Sequence, residues 1–206
     1  LQRVLGEYHA AHVVCGHDFR FGDRGAGDPE KLAELCHTES VGCDCIPEIR
    51  VDGQTVSSTL IRRLLAEGEM ARAVRLLGHP HVLSGTVVSG RKLGRMIGIP
   101  TANLQLPPGV LTPRFGVYAA KACFDGQRLP AVVNIGVRPT VGGGSVTVEP
   151  WILDYEGDLY GKRLRLEFYT FLRPERKFSS LEELRQEILH NAAQTRAFFD
   201  NSEQSC

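Results

Sequence analysis

The spacing of apolar residues splits this chain into a part where helices alternate with strands and a part made mostly of strands. His12–Gly16 (HVVCG) is a short apolar run closed by glycine, the pattern of a buried parallel strand. Asp28–Gly42 opens on Asp-Pro and sets Leu32, Leu35 and Cys36 on one face, which predicts a helix with clear start and stop signals. Cys43–Gly53 (CDCIPEIRVDG) reads as a second strand. Ser57–Gly78 begins with a Ser/Thr cap, spaces Ile61, Leu64, Leu65, Val74 and Leu77 helically, and is expected to divide into two helices at Gly68.

The period changes at Gly78-His79-Pro80. From Val82 to about Phe171 the segments HVLSGTVVSG, GVYAAKACF, RLPAVVNIG, SVTVEPWILDY and KRLRLEFYTFL alternate as strands do. Phe124-Asp125-Gly126-Gln127 is a hairpin turn. Short strands in this number suggest a small antiparallel barrel. Ser179–Phe199 has a serine cap and carries Leu181, Leu184 and Ile188 on one side, so a closing amphipathic helix is expected, with Asn201–Cys206 as a frayed tail.

Composition narrows the function. Lys plus Arg and Asp plus Glu each number 24, which argues against broad nucleic-acid or membrane binding while allowing a local basic site. No apolar run reaches the length of roughly 18 residues expected of a spanning helix, and no signal peptide is visible. The six cysteines show no disulfide-framework spacing, so reduced thiols and a cytoplasmic location are expected. Cys36-His37 with Cys43 and Cys45 could suggest zinc, but the spacing fits no standard zinc finger and zinc is disfavoured. His9 and His12 are read as surface or packing residues.

Ser89–Leu106 (SGRKLGRMIGIPTANLQL) holds the densest chemistry. Gly90, Gly94 and Gly98 recur at every fourth position, allowing sharp turns and close approach of backbone N–H groups to an anion. Arg91, Lys92 and Arg95 add positive charge. Thr101 and Asn103 lie two apart, so an extended backbone points both to one side, offering hard oxygen donors that suit Mg²⁺. The usual phosphate loop is absent, since Gly157–Lys162 has the wrong spacing and is followed by Arg163. On residues alone a glycine-rich barrel corner explains the stretch as well as a phosphate site does. Glu149, in a strand-like run beside Trp151 and Tyr155, is a candidate general base or an ordinary strand-surface acid.

The ordered segments SGTVVSGRKLGRMIGIPTANL, GVYAA, VVNIGVRPT, TVEPWILDYEGDLYGKRLRLEF and FLRPERKFSSLEELRQEI resemble the riboflavin kinase family from Leu83 to about Ala197. Pro100-Thr101-Ala102-Asn103 is the most specific piece. The resemblance implies a six-stranded Greek-key β-barrel with a C-terminal helix, and transfer of the ATP γ-phosphoryl group to riboflavin, giving FMN. It implies Glu149 as catalytic base, and Thr101 and Asn103 as metal and phosphate ligands, with Asn103 also catalytic. Gly90, Lys92, Gly94 and Arg95 would complete the ATP site, with Mg²⁺ as cofactor. Many members carry an apolar residue and then His where this chain has Pro150-Trp151, a departure that bears on the flavin pocket.

VVCGHDFRFGDRGAGDPEKL and VSSTLIRRLLAEGEMARAVRLLG are similar to the second half of the FMN adenylyltransferase domain of bacterial bifunctional FAD synthetases. Ser57, Ser58, Thr59 and Arg62 match that family's Ser-Ser-Thr-x-x-Arg element, suited to a triphosphate at a helix start. The expected organisation is therefore α/β plus β. A partial Rossmann-like nucleotidyltransferase domain spans 1–78, and a riboflavin kinase domain spans 79–206. The chain opens on Leu1 and lacks His-x-Gly-His, so it is expected to be N-terminally truncated, making FMN but not FAD. ATP, riboflavin and FMN are the expected partners, with no nucleic acid and no membrane, and with oligomeric state left open. A catalytically silent flavin- or nucleotide-binding module is the alternative, and a nucleic-acid-binding barrel is disfavoured by the neutral charge.

Overall fold

A computed structural model of the chain describes residues 6–90, 94, 97–140 and 143–203. The chain forms two compact units, Leu1–Val56 and Ser57–Cys206.

In the first unit, β1 (His12–Gly16) and β2 (Gly42–Ile46) pair in parallel across the helix α1 (Pro29–Thr38), making one βαβ element. Asp28 caps α1 by accepting from the Lys31 N–H at 2.9 Å, and Pro29 occupies the first turn, where its missing N–H costs nothing. Leu32 and Cys36 of the helix pack on Cys15, with Val13, Phe21, Val41 and Cys43 around them. Cys36 and Cys43 are thus core residues, and among the described residues no group of three or more His, Cys, Asp or Glu side chains is placed to hold a metal. The second strand is shorter than Cys43–Gly53. It ends at Ile46, before Pro47, and the remainder folds into a separate hairpin of β3 (Arg50–Val51) and β4 (Gln54–Thr55). Proline cannot donate to a ladder, and Asp52-Gly53, both at positive φ, supply a tight turn.

The second unit begins with α2 (Ser58–Glu67) and α3 (Met70–Leu77), divided at Gly68, which takes the left-handed conformation with φ 85°. Six strands follow: β5 (His81–Val88), β6 (Asn103–Gln105), β7 (Gly116–Phe124), β8 (Gln127–Thr140), β9 (Gly143–Ile152) and β10 (Arg163–Arg173). They form one antiparallel sheet in the order β6-β5-β10-β7-β8-β9, and its two edges, β6 and β9, come together to make a nearly closed barrel. Inside, Tyr118 meets Phe168 edge-on with ring centroids 5.4 Å apart, among the fully buried Leu83, Ala120, Val133, Ile135 and Leu166. Small residues beside aromatic ones suit the tight interior of a small barrel. β6 escapes the alternation rule because it is three residues long with one apolar member, Leu104.

The closing helix α4 (Leu181–Glu203) packs across β7 and β8. Ser180 Oγ accepts from the Glu183 N–H at 3.1 Å, while the Glu183 carboxylate takes the Ser179 N–H at 2.8 Å, a reciprocal cap. The helix continues to Glu203, past Asn201 where fraying was expected, and residues 204–206 lie outside the described residues.

The helical pair α2–α3 belongs by packing to the barrel. α3 lies against β5 and β10. The Arg114 N–H donates to the Leu65 carbonyl at 2.8 Å, and its guanidinium donates to the Glu67 carbonyl at 3.1 Å. The same guanidinium sits 5.3 Å from the centre of the Phe171 ring, and the Arg114 carbonyl accepts from Tyr118 Oη. Arg114 therefore supplies donors to the carbonyl end of α2, adding to the Gly68 N–H at Leu65 and reaching Glu67 with its side chain. Arg114→Ala should cost about 1 kcal/mol and lower Tm by roughly 2–4 °C. Amide exchange in α2 should quicken more than in β7 and β8, and unchanged α2 exchange would show that the latch contributes nothing.

Candidate active site

The alternation of β9 sorts the chemistry from the core. Val148, Pro150 and Ile152 point into the barrel and are buried, which leaves Thr147, Glu149 and Trp151 half-buried on the other face. Register then aligns Arg173 of β10, Val117 of β7, Asn134 of β8 and Glu149 of β9 as successive cross-strand partners. Such partners share a face, so the four side chains form one row across the sheet.

The barrel closes beside Glu149. The Ala102 N–H donates to the Pro150 carbonyl at 2.9 Å, tying the Pro-Thr-Ala-Asn segment to β9. Proline is tolerated there because β9 is an edge strand, where an outward N–H can be missing without cost to the ladder. Asn103 in turn pairs with Val88 of β5. Thr101 and Asn103, on either side of Ala102, both contact the glycine loop. A Cβ on Gly94 would fall 2.1 Å from the Ile99 carbonyl and 3.2 Å from Thr101 Oγ1, and one on Gly90 would fall 2.0 Å from Asn103 Nδ2. The Ile99 N–H closes the loop on the Gly94 carbonyl at 2.8 Å. The loop approaches the segment this closely because those two positions lack side chains.

Two cavities meet at Thr101. One, of about 320 Å³, is lined at its polar end by Gly94, Thr101, Asn134 and Glu149. Its walls are Trp151, Val117 and Val132 from the sheet and Leu184 and Ile188 from α4. Arg173, Glu175, Arg176 and Phe178 complete it. The other, of about 520 Å³, is lined by Thr101 with Pro100, Tyr155, Leu159 and their neighbours. Glu187 pairs with both arginines of the smaller cavity. Arg173 Nε lies 3.0 Å from Glu187 Oε1 and donates to Asn191 Oδ1 at 3.0 Å, and Arg176 donates to Glu187 Oε2 at 2.8 Å. Both guanidinium groups also lie over the Phe178 ring, at 5.5 and 4.7 Å. Burial pushes the Arg173 guanidinium down from its usual value, and the Glu187 carboxylate opposes that shift without cancelling it.

Of the residues singled out from sequence, Glu149, Thr101 and Gly94 line one cavity together. Asn103 and Gly90 lie directly behind, with the Asn103 amide against Gly90. Lys92 and Arg95 lie outside the described residues. Ser57 caps α2 by accepting from the Leu60 N–H at 3.2 Å, and Ser58, Thr59 and Arg62 are exposed on its first turns. Asn134 and the Arg173–Phe178 segment lie in segments that carry the family resemblance, but no site role was assigned to them from the sequence.

Comparison with known proteins gives a match for each part of the chain. A riboflavin kinase family model matches residues 77–199, and an FAD synthetase family model matches residues 1–60. A bifunctional riboflavin kinase/FMN adenylyltransferase of Pseudomonas fluorescens is 42% identical over 187 residues, covering 90% of this chain and 60% of that protein. The protein of the same name from Listeria monocytogenes is 38% identical over 206 residues, covering 97% and 63%. The chain thus spans about 60% of the length of the curated relatives it matches. A crystal structure described as a macrolide-efflux protein from Streptococcus pneumoniae superposes with a TM-score of 0.80 at 30% identity, covering 91% of this chain and 60% of that one. Among the described residues no helix is long and apolar enough to cross a membrane.

The contact between Gly90 and Asn103 is open to test. Gly90→Ala should overpack the site by about 1–3 kcal/mol and shift the Asn103 side-chain amide resonances. An unchanged Asn103 signal with an unchanged Tm would mean that the loop does not rest on this residue.

Proposed function

The chain belongs to the riboflavin kinase family, and on that premise we propose that it transfers the γ-phosphoryl group of ATP to the 5′-hydroxyl of riboflavin, forming FMN. The observation that carries this reading is the meeting of Thr101 and Glu149 in one cavity beside the Ala102–Pro150 bond. That cavity is polar at one end and apolar along its walls, which suits a fused aromatic ring bearing a polyhydroxyl chain. The larger cavity reaches Thr101 between Pro100, Tyr155 and Leu159, surfaces suited to a purine. Two substrates seated in this way would present their reacting ends to each other at Thr101.

Phosphoryl transfer needs positioning and charge neutralisation more than covalent help. Glu149 would accept the proton of the riboflavin 5′-hydroxyl as that oxygen bonds to the γ-phosphorus. The bond from the γ-phosphorus to the bridging oxygen breaks, and ADP leaves. The hydroxyl of Thr101 and the amide oxygen of Asn103 are hard donors beside the glycine loop, and they would hold Mg²⁺, which when bound neutralises phosphate charge. Gly90 and Gly94 let backbone N–H groups approach the phosphates, and Lys92 and Arg95 would add charge to the same loop.

Residues 79–206 are read as the kinase domain. Residues 1–78 are read as the C-terminal part of an FMN adenylyltransferase domain, with Ser57, Ser58, Thr59 and Arg62 as its triphosphate element. The match of residues 1–60 to FAD synthetase supports that assignment. The packing of α2–α3 on the barrel makes these helices a structural part of the kinase unit as well.

The test is to incubate the chain with riboflavin, ATP and Mg²⁺ and to look for FMN by chromatography. FMN should accumulate, and binding of both substrates without FMN would instead identify a silent binding module. Glu149→Gln should leave Tm near that of the parent and lower kcat by about two to four orders of magnitude. Near-normal kcat in that variant would remove Glu149 from the base role.

A further inference from the structure

We infer that Cys45 and Cys15, in the first unit, form a peroxide-oxidisable dithiol, a modification site at which a disulfide ties β2 to β1. The inference does not rest on the kinase reading. Among the described residues, both cavities that meet at Thr101 are lined from the second unit alone.

Strand register brings the thiols together. β1 and β2 run parallel, with Cys15 directly opposite Cys45 and Val13 opposite Cys43. Partners in register share a face of the sheet, and so do residues two apart, so Cys15, Cys43 and Cys45 lie on one face. That face meets α1, whose Cys36 clusters with Cys15 while Cys43 packs beside them. Cys15 and Cys36 are buried, Cys43 is half-buried and Cys45 is exposed. Adjacent strands stand about 4.8 Å apart, inside the Cα separation of roughly 4.4–6.8 Å that a disulfide spans. Cys43 and Cys45, two apart on one strand, are separated by about 6.6 Å. That is the upper end of the disulfide range, so Cys15 is the better partner for Cys45. Burial pushes the Cys15 thiol up, and the Cys45 and then the Cys36 thiols beside it add to that shift.

Exposure assigns the roles. Hydrogen peroxide reaches Cys45 from solvent, whereas Cys36 is fully buried. The Cys45 thiolate attacks one peroxide oxygen. The O–O bond breaks, the departing hydroxide takes a proton and leaves as water, and Cys45 becomes a sulfenic acid. The Cys15 sulfur then attacks the Cys45 sulfur. An S–S bond forms, the S–O bond breaks, and the hydroxyl leaves as water with the proton from Cys15. The two thiols lose two electrons and the peroxide gains them, so no other oxidant is required. Among the described residues no three thiols converge as metal ligands would, which leaves the cluster to pairwise chemistry.

The test treats the reduced 206-residue chain with equimolar hydrogen peroxide, blocks the remaining thiols, and reads the linkages by peptide mass spectrometry. A Cys15–Cys45 linkage should dominate, and dithiothreitol should restore both thiols. Cys45→Ser alters an exposed residue, so Tm should stay within about 2 °C of the parent. In that variant thiol loss should slow by about 10-fold or more. Cys15→Ala should instead leave Cys45 as a sulfenic acid that dimedone traps, because the second thiol is missing. A predominant Cys36–Cys43 or Cys43–Cys45 linkage would overturn the inference. So would an intermolecular bond at Cys45, a sulfenic acid that persists there in the unaltered chain, or a Cys45 thiol that survives the treatment. If Cys15→Ala fails to fold, the linkage map of the unaltered chain and the rate in Cys45→Ser still decide the outcome.

Discussion

The site depends on how the barrel closes. Two edge strands, β6 and β9, approach each other, and the Ala102 N–H meets the Pro150 carbonyl at 2.9 Å. On one side of this bond stand Thr101 and Asn103, and on the other stand Glu149 and Trp151. A backbone bond fixes both pairs at once because each is a chain neighbour of a bonded residue. Pro150 has no N–H, so the seam at this residue has an acceptor and no second donor. The closure is consequently partial, and the cavities open on either side of Thr101. A fully laddered barrel would bring the same side chains together but leave less room between them.

The glycine loop and the closing helix then complete the enclosure from opposite directions. Gly90 and Gly94 admit the loop to within contact of Asn103 and Thr101. From the other side α4 supplies an apolar wall, and Glu187 on that helix holds Arg173 and Arg176 over Phe178. Both guanidinium groups are thus engaged by a residue of the helix. Asn134 and Glu149 line the same cavity, and the Glu175 carboxylate stands in the side-chain place of Gly136. The departure at Pro150-Trp151 falls within this arrangement, with Pro150 serving the seam and Trp151 the cavity wall.

Much of this could be read from the sequence where the signal is local. The alternation of Val148, Glu149, Pro150 and Trp151 sorts core from cavity, and the Ser179–Glu183 cap marks the start of α4. Gly68 divides α2 from α3 as its left-handed φ requires. The parts that escaped are set by partners distant in the chain. Asn103–Gln105 becomes a strand because β5 pairs with it, although one apolar residue in three gives no period. Arg173 and Arg176 look solvated in sequence, yet both turn onto Glu187, a residue whose place depends on how α4 lies across the sheet. Gly136 looks like a weak point in a strand until the carboxylate of Glu175 is seen in its side-chain position. Packing likewise assigns α2–α3 to the barrel unit, through Arg114 and α3, although their motifs resemble the other half of the chain.

The Ala102–Pro150 bond holds Thr101 and Glu149 in one cavity. Native-state hydrogen exchange at the Ala102 amide measures it directly. If the seam is a structural part of the barrel, this amide should be protected to nearly the same degree as the paired amides of β8 and β9, and it should open with them rather than ahead of them. Exchange of Ala102 at the rate of an unstructured loop, with β8 and β9 still protected, would mean that the barrel is open at this edge and that the two residues are not held together.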